Sequence, residues 1–208
     1  MKKLLLIGGG GHARSLIEAV GPDRFAGYVA NEAADIPLPY LGNDAAAIAA
    51  CPPHDYAILL GLGFNNGCRL SLRRKVLDTF NAYEAESVIA PSAIVTPGTT
   101  LGDGCCIMHR AVVNRSALGK HCVVNTGAIV EHDCRIGENV FIGPGAVICG
   151  EVTVETDVFI GAGAILRNCI SISAGISVAM GAVVTRSLTE PGIYAGNPAR
   201  LTNRKTEQ

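Results

Sequence analysis

Apolar residues recur at every sixth position through the second half of the chain. Counted in steps of six from Val88 to Val184, fifteen of the 17 positions hold Val, Ile or Leu. Residues four places further on are mostly small or aliphatic, so we expect two positions of each hexad to point inward. Neither an α-helix nor a single strand repeats with this spacing. A period of six is typical of a parallel β-helix, in which short strands wind round a prism and stack coil on coil.

The first 85 residues show a different pattern, in which short apolar runs alternate with segments of helical spacing. The runs that we interpret as buried strands are bounded by Gly, Pro or Asp: residues 3–7, 25–30 and 56–60. The segments of helical spacing are residues 12–20, 43–50 and 68–80. Asn43 or Asp44 is placed to cap the second of these helices. Strands and helices that alternate in this way predict a small parallel sheet with helices on its faces, a Rossmann-like α/β fold.

The two patterns divide the chain at about residue 85. We expect a Rossmann-like domain over residues 1–85, an all-β parallel β-helix of hexapeptide repeats over residues 86–195, and a C-terminal tail over residues 196–208. The chain has 25 Gly, no Trp and only 5% aromatic residues. That composition suits a core of small aliphatic side chains joined by tight turns better than a helix bundle.

Charge and hydropathy exclude several classes of function. Seventeen Lys and Arg against 18 Asp and Glu give a formal net charge of −1, so no basic field exists for nucleic acid or an anionic membrane. The apolar run at residues 4–7 is too short for a signal peptide, and no stretch approaches the roughly 20 apolar residues of a membrane span. The eight Cys form no CxxC pair and no zinc-like cluster. We therefore expect a cytoplasmic protein without a metal site.

One polar triplet interrupts the apolar repeat. Glu131, His132 and Asp133 follow the inward position Val130, so we expect His132 at a turn near the prism surface. Either carboxylate can fix the tautomer and orientation of the imidazole. A group that takes a proton from an attacking amine or hydroxyl works best with a pKa near the working pH, and imidazole is best matched to neutral pH. The sequence therefore predicts His132 as a general base with an orienting carboxylate.

A glycine-rich stretch, IGGGGHA at residues 7–13, follows the first predicted strand and opens the first helix. Backbone amides at such a position can bind phosphate. The stretch fits the dinucleotide pattern G-x-G-x-x-G/A, but the acidic residue expected about 20 positions further on is not clear, since only Glu32 or Asp35 is available. GLGFNN at residues 61–66 is a second Gly-rich strand end, which is either an ordinary turn or part of the same site.

Several segments together resemble one enzyme family. The hexads IGPGAV and IGAGAI, with GGGGHA, NTGAIVEHD and AGNPAR, are similar to the left-handed β-helix sugar acetyltransferases of bacteria. The resemblance covers nearly the whole chain and extends to the UDP-4-amino-sugar N-acetyltransferase of bacillosamine synthesis and to sialic acid O-acetyltransferases. It implies a left-handed prism with three hexads in each 18-residue coil. It also implies acetyl-CoA as cosubstrate and a homotrimer with active sites between subunits.

The resemblance assigns roles to residues by motif match. His132 corresponds to the base, Asp133 to its modulating carboxylate and Asn125 to a residue near the acceptor. Glu131 competes with Asp133 as the partner of the imidazole, and the catalytic set is therefore His132, Asp133, Asn125 and Glu131. The N-terminal glycine loop would hold the nucleotide of the sugar substrate. The substrate-binding set is Gly8, Gly10, Gly11, His12, Asn31, Gly61 and Gly63.

With 18 residues in a coil, the column that begins at Asn125 continues through Gly143, Gly161 and Ala179. A lane of this kind leaves room for a ligand beside the backbone, although such turns also favour Gly and Ala in any case. In the resembling enzymes the pantetheine of acetyl-CoA lies along it. Phe141 stands where many relatives have a second His, and we expect it to pack against the cofactor with Phe159. The cofactor-binding set is Phe141, Gly143, Gly161, Ala162, Ala179 and Met180.

We therefore expect an acetyl-CoA-dependent N-acetyltransferase that acts on the amino group of a nucleotide-activated amino sugar of the UDP-4-amino-sugar type. Transfer would be direct, and Cys134 as a covalent nucleophile is a weaker alternative because its hexad position points inward. O-acetylation of sialic acid or a related sugar requires the same chemistry but no nucleotide. A non-catalytic solenoid that binds a nucleotide is the remaining alternative, and it leaves the triplet at residues 131–133 without a purpose.

Overall fold

The computed structural model describes residues 2–63 and 70–202, and its N-terminal part is a four-stranded parallel sheet. The strands, in the spatial order β2-β1-β3-β4, are β1 (Lys3–Ile7), β2 (Phe25–Val29), β3 (Tyr56–Leu60) and β4 (Glu84–Ala85). The connecting helices are α1 (Gly11–Val20), α2 (Asp44–Ala50) and α3 (Leu70–Thr79), with a 3-10 turn at Pro22–Arg24. The predicted strands and helices are confirmed, except that residues 68–69 of the third helix lie outside the described residues.

Local sequence accounts for these helices. Asn43 is the N-cap of α2, and its Oδ1 accepts a hydrogen bond of 3.1 Å from the backbone N–H of Ala46. On α1, the apolar residues Leu16 and Ile17 are buried together with Ala13, one turn earlier. None of the helices within the described ranges combines the length and the hydropathy that a membrane crossing requires.

The remaining described residues form a β-helix, the prism. Its strands, in chain order, are β5 (Val88–Ile89), β6 (Ile94–Val95), β7 (Thr100–Leu101), β8 (Cys106–Ile107), β9 (Val112–Val113), β10 (Ala117–Leu118), β11 (Val123–Val124), β12 (Ile129–Val130), β13 (Arg135–Ile136), β14 (Phe141–Ile142), β15 (Val147–Ile148), β16 (Thr153–Val154), β17 (Phe159–Ile160), β18 (Ile165–Leu166), β19 (Ser171–Ile172), β20 (Ser177–Val178) and β21 (Val183–Val184). Two further strands, β22 (Ile193–Ala195) and β23 (Arg200–Thr202), pair antiparallel at its C-terminal end, so part of the segment expected as a tail extends a sheet.

Three parallel sheets make the three faces of the prism, and their outer surfaces differ. The covered face (β5, β8, β11, β14, β17, β20) packs against the N-terminal sheet and α1, because Val88, Val123 and Phe141 share one buried cluster with Leu4, Leu16 and Ile17. The polar face presents exposed side chains: Thr100, Ala117, Arg135, Thr153 and Ser171. The apolar face presents only aliphatic side chains to the outside: Ile94, Val112, Ile129, Val147, Ile165 and Val183.

Inward side chains fill the prism with aliphatic groups. From Leu118 to Val184 every sixth residue points inward and is at most 4% exposed, as the hexad pattern predicts. Small buried residues lie between them, among them Ala128 and Ala146. Burial of this contiguous column of apolar surface is the main favourable term for the prism.

The hexad register shifts by one residue at a short turn. Leu118 pairs with Ile136, 18 residues later, but with Leu101, only 17 residues earlier. The turn between β9 and β10 contains three residues, 114–116, where the turn between β11 and β12 contains four, 125–128. Ser116 in this turn is buried, and its Oγ donates to the carbonyl oxygen of Glu131 at 2.7 Å.

The unbroken register predicted from Val88 to Val184 is therefore wrong before residue 114. In that part of the prism the inward residue is the second of each strand pair, such as Ile107 and Val113, which are buried in the core. Ile94 points outward instead and is 58% exposed. The physical reason is that a three-residue turn removes one position, so the frame of all following strands moves by one.

Coil stacking also determines where glycine is required. A Cβ on Gly119 would lie 2.8 Å from the carbonyl carbon of Gly137, and one on Gly137 would lie 2.7 Å from that of Glu155. In the predicted cofactor lane, a Cβ on Gly143 would lie 2.7 Å from the backbone nitrogen of Ala162. Close approach of the next coil thus accounts for these glycines by itself.

We predict that Gly137→Ala lowers the free energy of unfolding by about 1–3 kcal/mol, because the added methyl group forces adjacent coils apart. Urea denaturation followed by circular dichroism measures the loss. Gly11→Ala is the matched control, since nothing lies within 4 Å of a Cβ at that position. Equal stability of the two variants would contradict the role of stacking.

Candidate functional site

A pocket of about 520 Å³ lies between the N-terminal sheet and the edge of the prism where the covered face meets the apolar face. The structure brings together here residues from both halves of the chain that the sequence predicted: Gly10, Gly11, His12, Gly61, Gly63, Asn125, Phe141, Gly143, Ala162 and Met180. The predicted nucleotide loop and the predicted cofactor lane therefore face each other across one pocket. Phe64 to Asn66, which continue the second Gly-rich strand end, lie outside the described residues.

The N-terminal wall is built from the carboxyl ends of two parallel strands. The loops that follow β1 and β3 meet at one edge of the sheet, the usual place for ligands in such folds. Gly8 has φ +116° and donates its N–H to the carbonyl oxygen of Val29 at 2.8 Å. Gly61 is packed so closely that a Cβ would lie 2.9 Å from the Leu6 side chain. Gly10 and Gly11 have open space where a Cβ would be, so their backbone is accessible from the pocket.

His12 is the second residue of helix α1 and lies on the pocket wall. Its Nε2 atom is fully buried and has no hydrogen-bond partner among the described residues. The ring makes an edge-on contact with Phe141, with 5.9 Å between the ring centroids. Burial, and to a smaller degree the charge of Arg73, lowers the pKa of His12 to about 4. The imidazole is therefore neutral at pH 7, and a buried nitrogen without a partner among the described residues requires an explanation.

The triplet at residues 131–133 lies on a different edge of the prism. It occupies the turn after β12, where the apolar face meets the polar face, whereas Asn125 lies in the turn before β12. None of the three triplet residues lines the pocket of its own chain. The predicted catalytic residues are therefore divided between two edges, with one strand of the apolar face between them.

Asp133, rather than Glu131, contacts the imidazole. His132 Nδ1 lies 3.0 Å from Asp133 Oδ2, and the other oxygen of Asp133 accepts from Arg115 Nη2 at 2.9 Å. The hydrogen bond from His132, followed by that from Arg115, lowers the pKa of the Asp133 carboxyl. Glu131 Oε2 instead accepts from Asn114 Nδ2 at 3.3 Å. In the tautomer that donates Nδ1–H to this carboxylate, Nε2 is the acceptor.

Neighbouring coils hold the triplet in place from both sides. In the coil before it, Ser116 Oγ accepts from the backbone N–H of Cys134 at 2.9 Å and donates to Glu131. In the coil after it, a Cβ on Gly150 would lie 2.6 Å from the His132 ring. The absence of a side chain at Gly150 therefore makes the space that the imidazole occupies.

Some predicted residues lie away from the pocket. Asn31 is exposed in a bend after β2, and Gly8, Gly161 and Ala179 do not line the pocket. Cys134 is 1% exposed and burial raises the pKa of its thiol, so it is a core residue with neither the access nor the ionisation of a nucleophile. In the described part of the chain, no cluster of three His, Cys, Asp or Glu side chains is placed to hold a metal ion.

The pocket also contains residues that the sequence analysis missed: Ser15, Leu62, Leu72, Thr126 and Pro144. Ser15 lies one turn after His12 on α1, so helical spacing could have predicted it. Thr126 and Pro144 each follow a residue of the predicted lane, so their position in the coil could have predicted them. Leu72 gave no signal, since it is one of several apolar residues on α3.

Comparisons with known proteins agree with this architecture. A family model described as the GMPPB C-terminal domain matches residues 76–168. Comparison with curated protein sequences gave no match. Among solved structures, PerB from Caulobacter crescentus in complex with CoA and GDP-perosamine is 32% identical, with a TM-score of 0.85 and 98% of each chain covered.

Two further structures are similar over nearly the whole chain. The acetyltransferase domain of PglB from Neisseria gonorrhoeae FA1090, in complex with acetyl coenzyme A, is 27% identical with a TM-score of 0.87, covering 97% of this chain and 99% of that one. WeeI from Acinetobacter baumannii AYE is 22% identical with a TM-score of 0.79, covering 97% of this chain and 100% of that one, and shows a likeness in fold alone. The 32% identity to PerB over 98% of each chain, with the stacked hexads of the prism, shows that the chain belongs to the hexapeptide-repeat sugar acetyltransferases, acyltransferases built on a left-handed β-helix.

Proposed function

We propose that the protein transfers the acetyl group of acetyl-CoA to the amino group of a nucleotide-activated amino sugar of the UDP-4-amino-sugar type. The observation that carries this proposal is the pocket in which the glycine loop and the unpartnered His12 face the prism. PerB, which is similar over 98% of its chain, is described with CoA and GDP-perosamine, so GDP is the alternative to UDP as the nucleotide.

Residues 1–85, as a Rossmann-like domain, would bind the nucleotide. The backbone at Gly10 and Gly11 is open to the pocket at the N-terminus of α1, where N–H groups and the helix dipole favour phosphate. His12 Nε2 would find in the sugar nucleotide the partner that the described residues do not supply.

Residues 86–195 would bind acetyl-CoA and carry out the reaction. Acetyl-CoA supplies the acetyl group as a thioester. The pocket continues along the prism edge past Gly143 and Ala162 to Met180, which is 76% exposed. The small side chains at residues 143 and 162 leave space for the extended pantetheine of acetyl-CoA. Phe141 and Phe159 are stacked, with 5.9 Å between the ring centroids, and give this part an apolar floor.

His132 would act as the general base. Asp133 holds the proton on Nδ1, so Nε2 accepts the proton of the attacking amine as the new C–N bond forms. His132 then returns this proton to the sulfur as the C–S bond breaks, which leaves the amide and a free thiol. Transfer would be direct, and the alternative nucleophile Cys134 is buried.

The proposed reaction needs a second copy of the chain. His132 and the pocket lie on opposite edges of the apolar face, whose outer residues include Ile94 and Ile165, 58% and 42% exposed. Packing of this face against other copies would bury these side chains. It would also bring His132 of one subunit towards the pocket of the next, in the homotrimer that the family resemblance implies.

We predict that His132→Ala lowers kcat by about 10²- to 10⁴-fold, because it removes the general base. The assay is release of free thiol from acetyl-CoA in the presence of UDP-, GDP- or dTDP-linked 4-amino sugars, with free sialic acid beside them. His54→Ala is the matched control, since His54 also has a carboxylate neighbour, Asp55, at 3.3 Å, but lies on the surface of the N-terminal domain.

Unchanged turnover in His132→Ala would refute the assigned base. Thiol release with sialic acid alone would select the O-acetyltransferase instead. Wild-type protein that neither binds acetyl-CoA nor releases thiol with any acceptor would support the non-catalytic solenoid.

We predict that His12→Leu keeps or raises stability but weakens substrate binding. A buried nitrogen without a hydrogen bond destabilises the fold by about 1–3 kcal/mol, and the substitution removes this cost. It also removes the proposed contact to the nucleotide sugar. Steady-state kinetics should show KM for the nucleotide sugar raised about tenfold. His54→Leu, at an exposed site, should change neither quantity.

The pH dependence of unfolding gives a second measurement on this variant. The pKa of His12 is lowered from 6.5 to about 4 in the fold, so the wild type loses stability as pH falls through this interval. His12→Leu should lose less stability between pH 6.5 and 4. Parallel pH curves for the two proteins would contradict a neutral, buried His12.

We predict that Ile165→Glu prevents self-association, because a charge on the apolar face cannot be buried without a partner. Sedimentation velocity would show a smaller species, and thiol release would fall with it. Thr153→Glu, at an exposed position of the polar face, is the matched control and should leave both unchanged. An Ile165→Glu protein that sediments like the wild type would show that the apolar face is not the contact.

A further inference from the structure

Arg73 is a buried cation that has no carboxylate in direct contact among the described residues. It lies on α3, is 1% exposed, and donates to three neutral acceptors. The bonds run from Nη1 to the carbonyl oxygen of Leu62 at 2.7 Å, from Nη2 to that of His121 at 2.8 Å, and from Nε to Asn139 Oδ1 at 2.9 Å. Burial lowers the pKa of Arg73 to about 10, which still leaves the guanidinium charged at pH 7.

The neighbouring Arg74 is paired with carboxylates, as is usual for a partly exposed arginine. Its side chain is 34% exposed and forms ion pairs with Glu138 at 3.0 Å and Asp157 at 2.9 Å. Asn139 stands between Arg73 and the same Asp157, to whose Oδ1 it donates at 2.7 Å. The guanidinium of Arg73 is therefore separated from that carboxylate by a neutral amide. A buried charge that is not directly paired is strongly unfavourable for folding.

The charge of Arg73 lies directly behind the pocket wall. Leu62, which accepts one of its hydrogen bonds, lines the pocket, and so does Phe141, whose ring centroid lies 5.9 Å from the guanidinium carbon. Among the described residues, the pocket lining contains no Asp, Glu, Lys or Arg. His12 on the same wall is neutral, and Arg73 is a positive charge directly behind that wall.

We propose that Arg73 is a specificity-determining residue that selects a nucleoside diphosphate over the uncharged nucleoside, because its charge acts through the wall on phosphate groups at the N-terminus of α1. This inference rests on the proposed function. Within the protein interior, a unit charge acts over several ångströms with less screening than in water. Arg73 does not touch the ligand, and its contribution is electrostatic.

The test measures binding of the diphosphate and of the matching nucleoside to the same variants. Isothermal titration calorimetry with UDP, GDP and dTDP first identifies which nucleotide the wild type binds. Arg73→Gln should then weaken the diphosphate about tenfold or more and the nucleoside less than twofold, as expected for loss of one unit charge. Arg73→Lys should retain most of the preference. Arg74→Gln, which removes a paired charge from the same helix, should retain all of it.

If Arg73→Gln weakened binding of the diphosphate and of the nucleoside equally, Arg73 would only support the structure of the pocket wall, and the inference would be overturned. Thermal unfolding checks that each variant is folded. Arg73→Lys is the second variant, since it keeps the positive charge and should therefore keep most of the preference for the diphosphate. Wild type that binds none of the nucleotides would overturn the proposed function and the inference together. An Arg73→Gln variant that binds the diphosphate as well as the wild type does would overturn the inference alone.

Discussion

Backbone hydrogen bonds between successive coils fix the position of every residue in the prism. Val123 N–H donates to Val140 at 2.9 Å and Asn125 N–H to Ile142 at 2.9 Å, and the same ladder continues from coil to coil. Because the ladder holds the register, residues of one kind align in columns and each face acquires its own character. The covered face takes the N-terminal sheet, and the pocket forms at its edge. The apolar face separates that pocket from His132.

The short turn at residues 114–116 supports the triplet one coil later. Asn114 donates to Glu131, Arg115 to Asp133, and Ser116 to the backbone of Glu131, so three consecutive polar residues reach the turn that carries His132. These bonds act on a turn in which Asp133 has φ +60°, a conformation that Asp tolerates better than most residues. The departure from the regular repeat thus lies at the position where the proposed chemistry needs a fixed side chain.

Period and turn chemistry were sufficient to predict the prism, the parallel sheet and the glycine loop, but not the shift of register. Strand pairs such as Val112–Val113 are apolar at both positions, since the outer residue either packs against the N-terminal sheet or belongs to the apolar face. A count in steps of six therefore continues in the wrong frame, and only the exceptions at Thr100 and Cys106 signalled it. The roles of Arg73 and Arg74 were also beyond the sequence, because adjacent arginines on a helix look alike until the packing of α3 is known.

The uniform register after Ser116 makes the later coils equivalent as building units. Any 18-residue segment taken from this region begins and ends in the same frame, so a designer can lengthen the prism at its C-terminal end by a whole coil and leave His132 where it stands. A segment transplanted across the 114–116 turn would arrive one residue out of phase. Its core side chains would then face solvent, so the turn is a boundary between two sets of modules that cannot be exchanged.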